Sequence, residues 1–384
     1  MKKLLIVLVS LSLFFVFLGF DTAKSASAES VITPIAAKSA YLMDKRTGQS
    51  LYGQRENDRF PIASMVKIMT ALLSFEEIES GNLSFDEKVL ISDESAGMGG
   101  SQMFLDRGLE YPINDLLKGV IVVSANDACI ALAERIAGSE EGFVARMNDR
   151  AKSLGMNDTV FVNATGLPKE GGYSTAHDVA LMLAELTKHP KYYDYSKIWL
   201  EDYVHPDGRI TTLTNTNKFV RFYDECDGGK TGYTSEAKFC LAACATRGDT
   251  RLISVVIGAD DSKTRFSESK RLLSYGFTNY RTDIIVKSGD PIFLCPISNG
   301  KKSEVICSAA SDLAILERIG LQNEPPEIET VYYDIKAPVS VGQEVGECMI
   351  RQGDKSYSVK LIAAEEVGKA TIGDAYRRIA GRWA

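Results

Sequence analysis

Three short polar motifs stand far apart in the sequence, and their order constrains the fold more than any other feature. Ser64 and Lys67 are three residues apart, Ser124-Ala125-Asn126 follows in the first half of the chain, and Lys230-Thr231-Gly232 lies well beyond it. In this order the motifs indicate serine acyl transfer with a lysine in the place of histidine. The fold must then bring the nucleophile Ser64, the polar side chains of Ser124 and Asn126, and the cationic segment at Lys230 and Thr231 to one site.

The segment around Ser64 has the pattern of a helix start. Pro61 precedes Ser64, and residues 65–78 carry apolar side chains at helical spacing. Ser64 is therefore predicted at or near a helix N-terminus, where unpaired backbone N–H groups and the helix dipole favour negative charge. Lys67 falls one turn later on the same face, so its amine can reach the Ser64 hydroxyl without backbone strain.

The order of the other predicted elements favours an α+β domain over a repeated βαβ unit, because helices are grouped between N-terminal and C-terminal strands. Beyond about Arg281, short strands alternate with turns, which predicts a small all-β region to about Ala364. The elements predicted before Arg281 are a hairpin over 40–52, helices over 116–123 and 128–136, a helix that begins after Thr175, antiparallel strands over 239–243 and 252–257, and a helix over 267–275.

The N-terminus has the composition of a secretory signal peptide. Lys2 and Lys3 precede an apolar run over 4–20, and the small residues Ala26-Ser27-Ala28 follow it. An uncleaved membrane anchor is the alternative, because the apolar run is slightly long. The net charge of -7 argues against nucleic acid as the main partner.

The seven cysteines follow no zinc or redox spacing, and their number is odd. Cys240 and Cys244 lie in an apolar run typical of a buried strand, so we expect buried, free thiols. The three histidines have no triad or metal neighbour in the sequence, which favours solvent-facing or capping positions. No metal cluster is visible, and no metal or other cofactor is expected.

Two other enzyme classes are disfavoured by missing residues. A P-loop would need a glycine five residues before Gly229, where the chain has Asp224. The Gly-x-Ser-x-Gly nucleophile elbow does not occur, which disfavours an α/β-hydrolase. Neither a nucleotide-binding loop nor that hydrolase fold accounts for the three motifs.

The sequence around the motifs resembles the low-molecular-mass penicillin-binding proteins that act as serine-type D-alanyl-D-alanine carboxypeptidases. The resemblance extends from about Ala37 to Thr282, and its strongest segments are 61–70, 118–128, 163–168 and 227–234. It implies a transpeptidase fold like that of the serine β-lactamases, with an antiparallel sheet flanked by helices and a small all-β domain after it. The expected organisation is a signal peptide (1–28), a catalytic domain (29–282), a β-rich domain (283–366) and an amphipathic, membrane-associating tail (367–384).

The resemblance assigns three residues to catalysis. Ser64 would attack the carbonyl of the penultimate D-alanine of a peptidoglycan stem peptide, and Lys67 would take the hydroxyl proton. Burial beside another cation, for which Lys230 is the obvious neighbour, would lower the Lys67 pKa. Ser124 would relay the proton toward the leaving amine. The backbone N–H groups of Ser64 and Tyr233 would form the oxyanion hole.

The resemblance assigns five residues to substrate binding. Asn126 would hydrogen-bond the substrate amide, while Lys230 and Thr231 would hold the terminal carboxylate. Gly232 would permit close approach of the substrate to its strand. Arg265 matches a family arginine near the carboxylate site, and a surface salt bridge is its alternative role.

Three alternatives to this function remain at the level of the sequence. A class A β-lactamase would carry Ser-Asp-Asn at the second motif, where the chain has Ser124-Ala125-Asn126. It would also carry a Glu-x-x-Leu-Asn element, where the chain has Asn-Ala-Thr-Gly-Leu at 163–167, so fast β-lactam turnover is not expected. A D,D-endopeptidase is a closer alternative, and access around residues 98–101 would decide it. A binding or scaffolding protein on a dead catalytic fold is disfavoured by the intact motifs.

The expected partners are the stem peptide and β-lactam antibiotics. An anionic membrane surface is a third expected partner, contacted through a tail helix over 369–384 with Ile372, Tyr376, Ile379 and Trp383 on one face. The expected location is the extracytoplasmic face of the bacterial cell membrane, where the exported protein would be peripheral.

Overall fold

The computed structural model describes residues 32–374, apart from positions 292, 322 and 323. The helices within these residues are α1 (Lys67–Glu79), α2 (Asp93–Ala96), α3 (Ile113–Val122), α4 (Asn126–Ala137), α5 (Glu140–Ser153), α6 (Ala176–Leu186), α7 (Tyr192–Ser196), α8 (Phe219–Phe222) and α9 (Ser262–Asn279). None of the helices in this part of the chain is long and apolar enough to cross a membrane. The predicted signal peptide, and the tail beyond 374, lie outside the described residues.

The strands alternate with these helices and then dominate the C-terminal part. They are β1 (Ser39–Asp44), β2 (Ser50–Gln54), β3 (Lys88–Leu90), β4 (Glu110–Pro112), β5 (Leu200–Val204), β6 (Ile210–Thr214), β7 (Cys226–Thr234), β8 (Lys238–Arg247), β9 (Thr250–Ala259), β10 (Tyr280–Val286), β11 (Phe293–Ser298), β12 (Glu304–Ala309), β13 (Leu313–Arg318), β14 (Glu327–Tyr332), β15 (Ile335–Lys336), β16 (Glu344–Gln352) and β17 (Lys355–Ala363).

The central sheet is antiparallel throughout and has the strand order β2-β1-β9-β8-β7. Alternate residues of β1 face different cores: Ala40 and Leu42 belong to one, and Tyr41 and Met43 to the other. Because successive side chains point to opposite faces and both faces are covered, β1 is buried along its whole length. The strand β7 forms one edge of this sheet.

Helices cover both faces of the sheet. On one face, Leu272 and Leu273 of α9 are fully buried in the same core as Leu42. On the other face, α1, α4 and α6 contribute to the core that contains Tyr41, and α1 contacts both of the other helices. This antiparallel sheet between two helical layers confirms the predicted α+β class.

The C-terminal part is an all-β region with its own core, as predicted. The strand β10 pairs with β13, and a six-stranded sheet has the order β14-β16-β17-β12-β11-β15, with one parallel pair, β11 and β15. The core of this region includes Cys295, Cys307 and Cys348. All seven cysteines of the chain are buried and free, which confirms the expectation from their spacing.

Polar contacts attach the all-β region to the central sheet at the turn after β1. The buried carboxylate of Asp44 accepts hydrogen bonds from the backbone and hydroxyl of Thr47, and it also accepts one from the Thr282 hydroxyl at 2.8 Å. Arg46 of the same turn forms an ion pair with Asp312 at 2.6 Å. The turn after β1 therefore connects the central sheet with the all-β region.

Candidate active site

Ser64 lies in a 3-10 turn over Ala63–Val66 that leads directly into α1. The turn is in close contact with the segment around Gly166, where an added Cβ would lie 2.0 Å from the carbonyl oxygen of Ala63. Gly166 also has a φ of +76°, so both its conformation and its space require glycine. The Ser64 side chain is half-buried at the surface of this turn and remains accessible to a substrate.

The Lys67 amine lies beside the Ser64 hydroxyl. Lys67 Nζ is 3.1 Å from Ser64 Oγ, and it also donates a hydrogen bond to the carbonyl of Thr165. The residue is only 1% exposed, and burial lowers the Lys67 pKa to about 8, although the nearby Cys129 and Asp127 act in the opposite direction. A fraction of the amine is therefore neutral near pH 7 and able to accept a proton.

The edge strand β7 brings the third motif to the same place. Lys230 is 4% exposed, and its pKa is lowered first by burial and then by the charges of Lys67 and Arg265. The Thr231 hydroxyl donates to Thr216 at 2.8 Å. A Cβ at Gly232 would lie 2.7 Å from the carbonyl oxygen of Ile62 and 3.3 Å from the Ser64 nitrogen, so glycine lets β7 pass close to the nucleophile.

The second motif connects α3 to α4 and holds two buried polar atoms for which the described protein supplies no partner. Ser124 adopts a φ of +64°, and its Oγ has no hydrogen bond within the described residues. Asn126 donates from Nδ2 to the carbonyl of Gly99 at 2.6 Å, but its Oδ1 likewise has no partner there. Leaving such an atom unsatisfied costs about 1–3 kcal/mol, and a hydrogen bond from a substrate would remove that cost.

Arg265, in α9, contacts β7 at the Lys230-Thr231-Gly232 motif. It is 9% exposed, and its Nη1 donates to the carbonyls of Gly232 at 3.1 Å and Cys240 at 3.3 Å. The guanidinium also lies over the rings of Phe239 and Phe266. Because it forms no ion pair with any described residue, the alternative of a surface salt bridge is wrong, and Arg265 adds buried positive charge near Lys230.

Two family models match most of the length of the chain. A family model described as D-alanyl-D-alanine carboxypeptidase matches residues 22–261, and a second model, for the C-terminal domain of penicillin-binding protein 5, matches residues 280–369. The chain belongs to the D-alanyl-D-alanine carboxypeptidase family. The two matched segments correspond to the α+β region and to the all-β region of this carboxypeptidase.

Named relatives and solved structures agree with this assignment. The carboxypeptidase is 37% identical to the D-alanyl-D-alanine carboxypeptidase DacF of Bacillus subtilis, over 100% of this chain and 99% of that protein. It is 34% identical to DacC of Escherichia coli, over 92% and 90% of the two chains. The crystal structure of penicillin-binding protein 5 from Haemophilus influenzae matches with a TM-score of 0.70 and 32% identity, covering 88% of this chain and 100% of that one.

A loop over residues 98–106 supports Asn126 in this carboxypeptidase, a role that its sequence did not predict. Its Ser101 carbonyl accepts a hydrogen bond from the Asn126 nitrogen at 2.7 Å, in addition to the Gly99 contact. The carboxylate of Asp127 accepts from the backbone nitrogens of Met103 and Leu105. The loop is therefore fixed to the N-terminus of α4, beside the second motif.

The far end of this loop is fixed by the β5–β6 hairpin. Arg209 donates to the Phe104 carbonyl at 2.7 Å and pairs with Asp106 at 2.5 Å. His205 is buried against Tyr111, with its Nδ1 3.0 Å from the tyrosine oxygen. The solvent-facing or capping position expected from sequence is wrong for His205 and for His189, because tertiary neighbours cover both rings.

A cleft of about 430 Å³ adjoins the Ser64 turn. It lies between the residues just before Ser64, the segment 160–173 and the end of β7. Its apolar lining includes Ile62, Val162 and Leu167. Among the described residues, no group of three or more His, Cys, Asp or Glu side chains could hold a metal ion.

Proposed function

We propose that Ser64 is the nucleophile of this carboxypeptidase and that it removes the terminal D-alanine from peptidoglycan stem pentapeptides. The position of the Lys67 amine is the main support for this proposal, because the amine lies 3.1 Å from Ser64 Oγ and burial lowers its pKa to about 8. A general base works best when its pKa is near the working pH. The arrangement suits proton abstraction from the serine hydroxyl.

In the acylation step, Ser64 Oγ attacks the carbonyl carbon of the penultimate D-alanine while Lys67 accepts the hydroxyl proton. The carbonyl oxygen becomes an oxyanion, which the backbone N–H groups of Ser64 and Tyr233 would stabilise by about 3 kcal/mol per donor. The C–N bond to the last residue then breaks, and Ser124 relays the proton to the leaving amine. The buried Ser124 Oγ, which no described residue bonds, is free for this relay.

Substrate binding would use the charges and donors along β7. Lys230 and Thr231 hold the terminal carboxylate, and Arg265 adds positive charge behind them. Asn126 bonds the amide upstream of the scissile bond, and Gly232 lets the peptide approach the strand. Recognition of a free carboxylate at this position restricts the enzyme to removal of a C-terminal residue.

Water completes the reaction by hydrolysing the acyl-enzyme. Penicillin would acylate the same serine, because its lactam amide imitates the D-Ala-D-Ala bond while its leaving group stays tethered and blocks water. The segment 163–167 presents the Thr165 carbonyl to Lys67, and it contains no carboxylate that could activate a water for fast lactam hydrolysis. This favours the carboxypeptidase reaction over β-lactamase activity.

The first test locates the covalent bond. Incubation with a fluorescent penicillin is expected to label Ser64, as mapped by mass spectrometry, and the protein should release D-alanine from diacetyl-Lys-D-Ala-D-Ala. Ser64→Ala should lose both activities and remain folded by circular dichroism. An adduct on another residue, or peptidase activity that survives in Ser64→Ala, would exclude this mechanism.

The placement of the chain in the cell is a further part of the proposal. Residues 1–28 would direct export, 29–282 would form the catalytic domain, 283–366 would form the β-rich domain, and 367–384 would contact the membrane. The two family segments, 22–261 and 280–369, support the division between the two domains. The enzyme would then act at the extracytoplasmic face of the membrane, as a peripheral protein.

The tail is tested by deletion. Removal of residues 369–384 from the mature protein is expected to abolish cosedimentation with anionic liposomes, because Arg377, Arg378 and Arg382 would meet the lipid headgroups. Activity on a soluble peptide should stay unchanged. Neutral phosphatidylcholine liposomes serve as the control, and the complete protein should bind them more weakly. Cosedimentation that persists after the deletion would place the membrane contact elsewhere.

A further inference from the structure

The strand β7 is at the edge of the central sheet, so β8 pairs with only one of its sides. On the free side, the Gly229 nitrogen donates a hydrogen bond to the Tyr192 hydroxyl of α7 at 2.8 Å. The pairing with β8 has one register shift, which precedes Gly229. Because N–H groups alternate between the two sides of an antiparallel strand, those of Thr231 and Tyr233 face the same free side as that of Gly229. Tyr192 therefore binds this edge immediately before the part that the proposed function assigns to the substrate.

Two more buried side chains hold the two carbonyls before Gly229. The Ser196 hydroxyl, also in α7, donates to the carbonyl of Asp227 at 2.6 Å. Asn217 donates from Nδ2 to the carbonyl of Gly228 at 3.3 Å. Side chains from outside the sheet thus fix the course of β7 up to the residue before its third motif.

Two glycines allow the contact with Tyr192. A Cβ on Gly228 would lie 2.6 Å from the Tyr192 oxygen, so the ring can pack against the strand only because no side chain is present there. Gly229 has a φ of +132°, which other residues rarely adopt, and a Cβ on it would lie 2.2 Å from the carbonyl oxygen of Ala242. An unusual backbone conformation therefore directly precedes Lys230, and the Tyr192 hydroxyl bonds the nitrogen within it.

The Lys230 amine depends on this backbone for its position. Its one hydrogen bond to a described residue is to the carbonyl of Thr231, the next residue, at 3.1 Å. Lys230 is 4% exposed, and together with Tyr192 and Lys67 it lines a cavity of about 10 Å³, which is at the lower limit for a single water. Because no side chain of another element binds the amine, a shift of Gly229 would move it.

We propose that Tyr192 is a positioning residue for substrate recognition, whose hydroxyl holds the Gly229 nitrogen and thereby fixes the Lys230 amine where the terminal carboxylate binds. This inference rests on the proposed function, which assigns the carboxylate to Lys230. Tyr192 does not touch the substrate and acts through the backbone of β7. Loss of its hydroxyl leaves a buried N–H group without a partner, so the strand gains by moving.

Tyr192→Phe tests the proposal, because it removes the hydroxyl and keeps the ring. We expect kcat/KM for diacetyl-Lys-D-Ala-D-Ala to fall roughly three- to tenfold, through a higher KM at nearly unchanged kcat. The C-terminally amidated peptide, which lacks the negative charge, should change by less than about twofold. The ratio of the two kcat/KM values therefore reports the position of the Lys230 amine. A merely structural role would lower the melting temperature and leave this ratio unchanged.

Tyr195→Phe is the matched control. Tyr195 lies in the same helix and is 3% exposed, but its hydroxyl donates to Asn114 Oδ1 at 2.6 Å and not to β7. Its replacement should lower the melting temperature and keep the ratio of the two peptides. Gly228→Ala reaches the Tyr192 contact from the strand, because its Cβ would displace the hydroxyl, and it should lower the ratio as Tyr192→Phe does.

A double variant shows whether the effect passes through Lys230. In the Lys230→Met background, Tyr192→Phe should lower the ratio no further, because the amine that it positions is absent. A further fall there, an unchanged ratio in Tyr192→Phe, or equal losses on the two peptides would overturn the proposal. Failure of the proposed function looks different, since the unmodified enzyme would then release no D-alanine and penicillin would not label Ser64.

Discussion

Replacement of Lys67 by alanine is expected to slow acylation by penicillin by roughly 10²–10⁴-fold, the contribution typical of a positioned general base. In the unmodified enzyme, the acylation rate should rise with pH and level off above about 8, because only the neutral amine accepts the Ser64 proton and burial lowers the Lys67 pKa to about 8. The residual rate of Lys67→Ala should lack this dependence. Stopped-flow labelling across a pH series measures both effects.

Lys118→Ala provides a matched control for this measurement. Lys118 is a partly buried lysine of α3 that pairs with Glu201, and it has no contact with Ser64. Its replacement should leave acylation within a few-fold of normal. Near-normal labelling of Lys67→Ala, with an unchanged melting temperature, would contradict the role of Lys67 as the base.

Replacement of Lys230 by methionine is expected to lower kcat/KM by roughly 10- to 100-fold for a peptide with a free terminal carboxylate, because a hydrogen bond to a charged group contributes about 1.5–3 kcal/mol. The C-terminally amidated analogue, which lacks the negative charge, should lose much less. The ratio of the two losses reports carboxylate recognition, since a general disturbance of the site would affect both peptides alike. Equal losses would remove Lys230 from carboxylate binding.

Local periodicity explains why the sequence predicted much of the fold. The first hairpin, α3, α4, β8 and β9 were all expected, because apolar residues at fixed spacing report which face of an element is buried. The helix α9 is longer than the predicted segment 267–275. Its start is fixed by Asp261, whose side chain accepts a hydrogen bond from the Thr264 nitrogen, and its exposed polar residues hid the first turn from a search for apolar spacing.

The parts of the site that the sequence did not reveal depend on backbone groups and tertiary neighbours. The carbonyls of Gly99 and Ser101 hold Asn126, and the carbonyl of Thr165 contacts Lys67. Every residue has a carbonyl, so no residue type marks these contacts. The burial of His205 has the same kind of cause, because Tyr111 lies far from it in the sequence.

Folding protects the seven cysteines from reaction with reagents in solution. All of them are buried and free, and burial raises the pKa of each thiol, to about 12 for Cys129 and Cys226 and about 11 for Cys240 and Cys307. The reactive thiolate is therefore scarce and covered while the chain is folded. The rate of reaction with a thiol-specific reagent therefore reports the unfolding of the native protein, because only molecules that have opened expose these thiols.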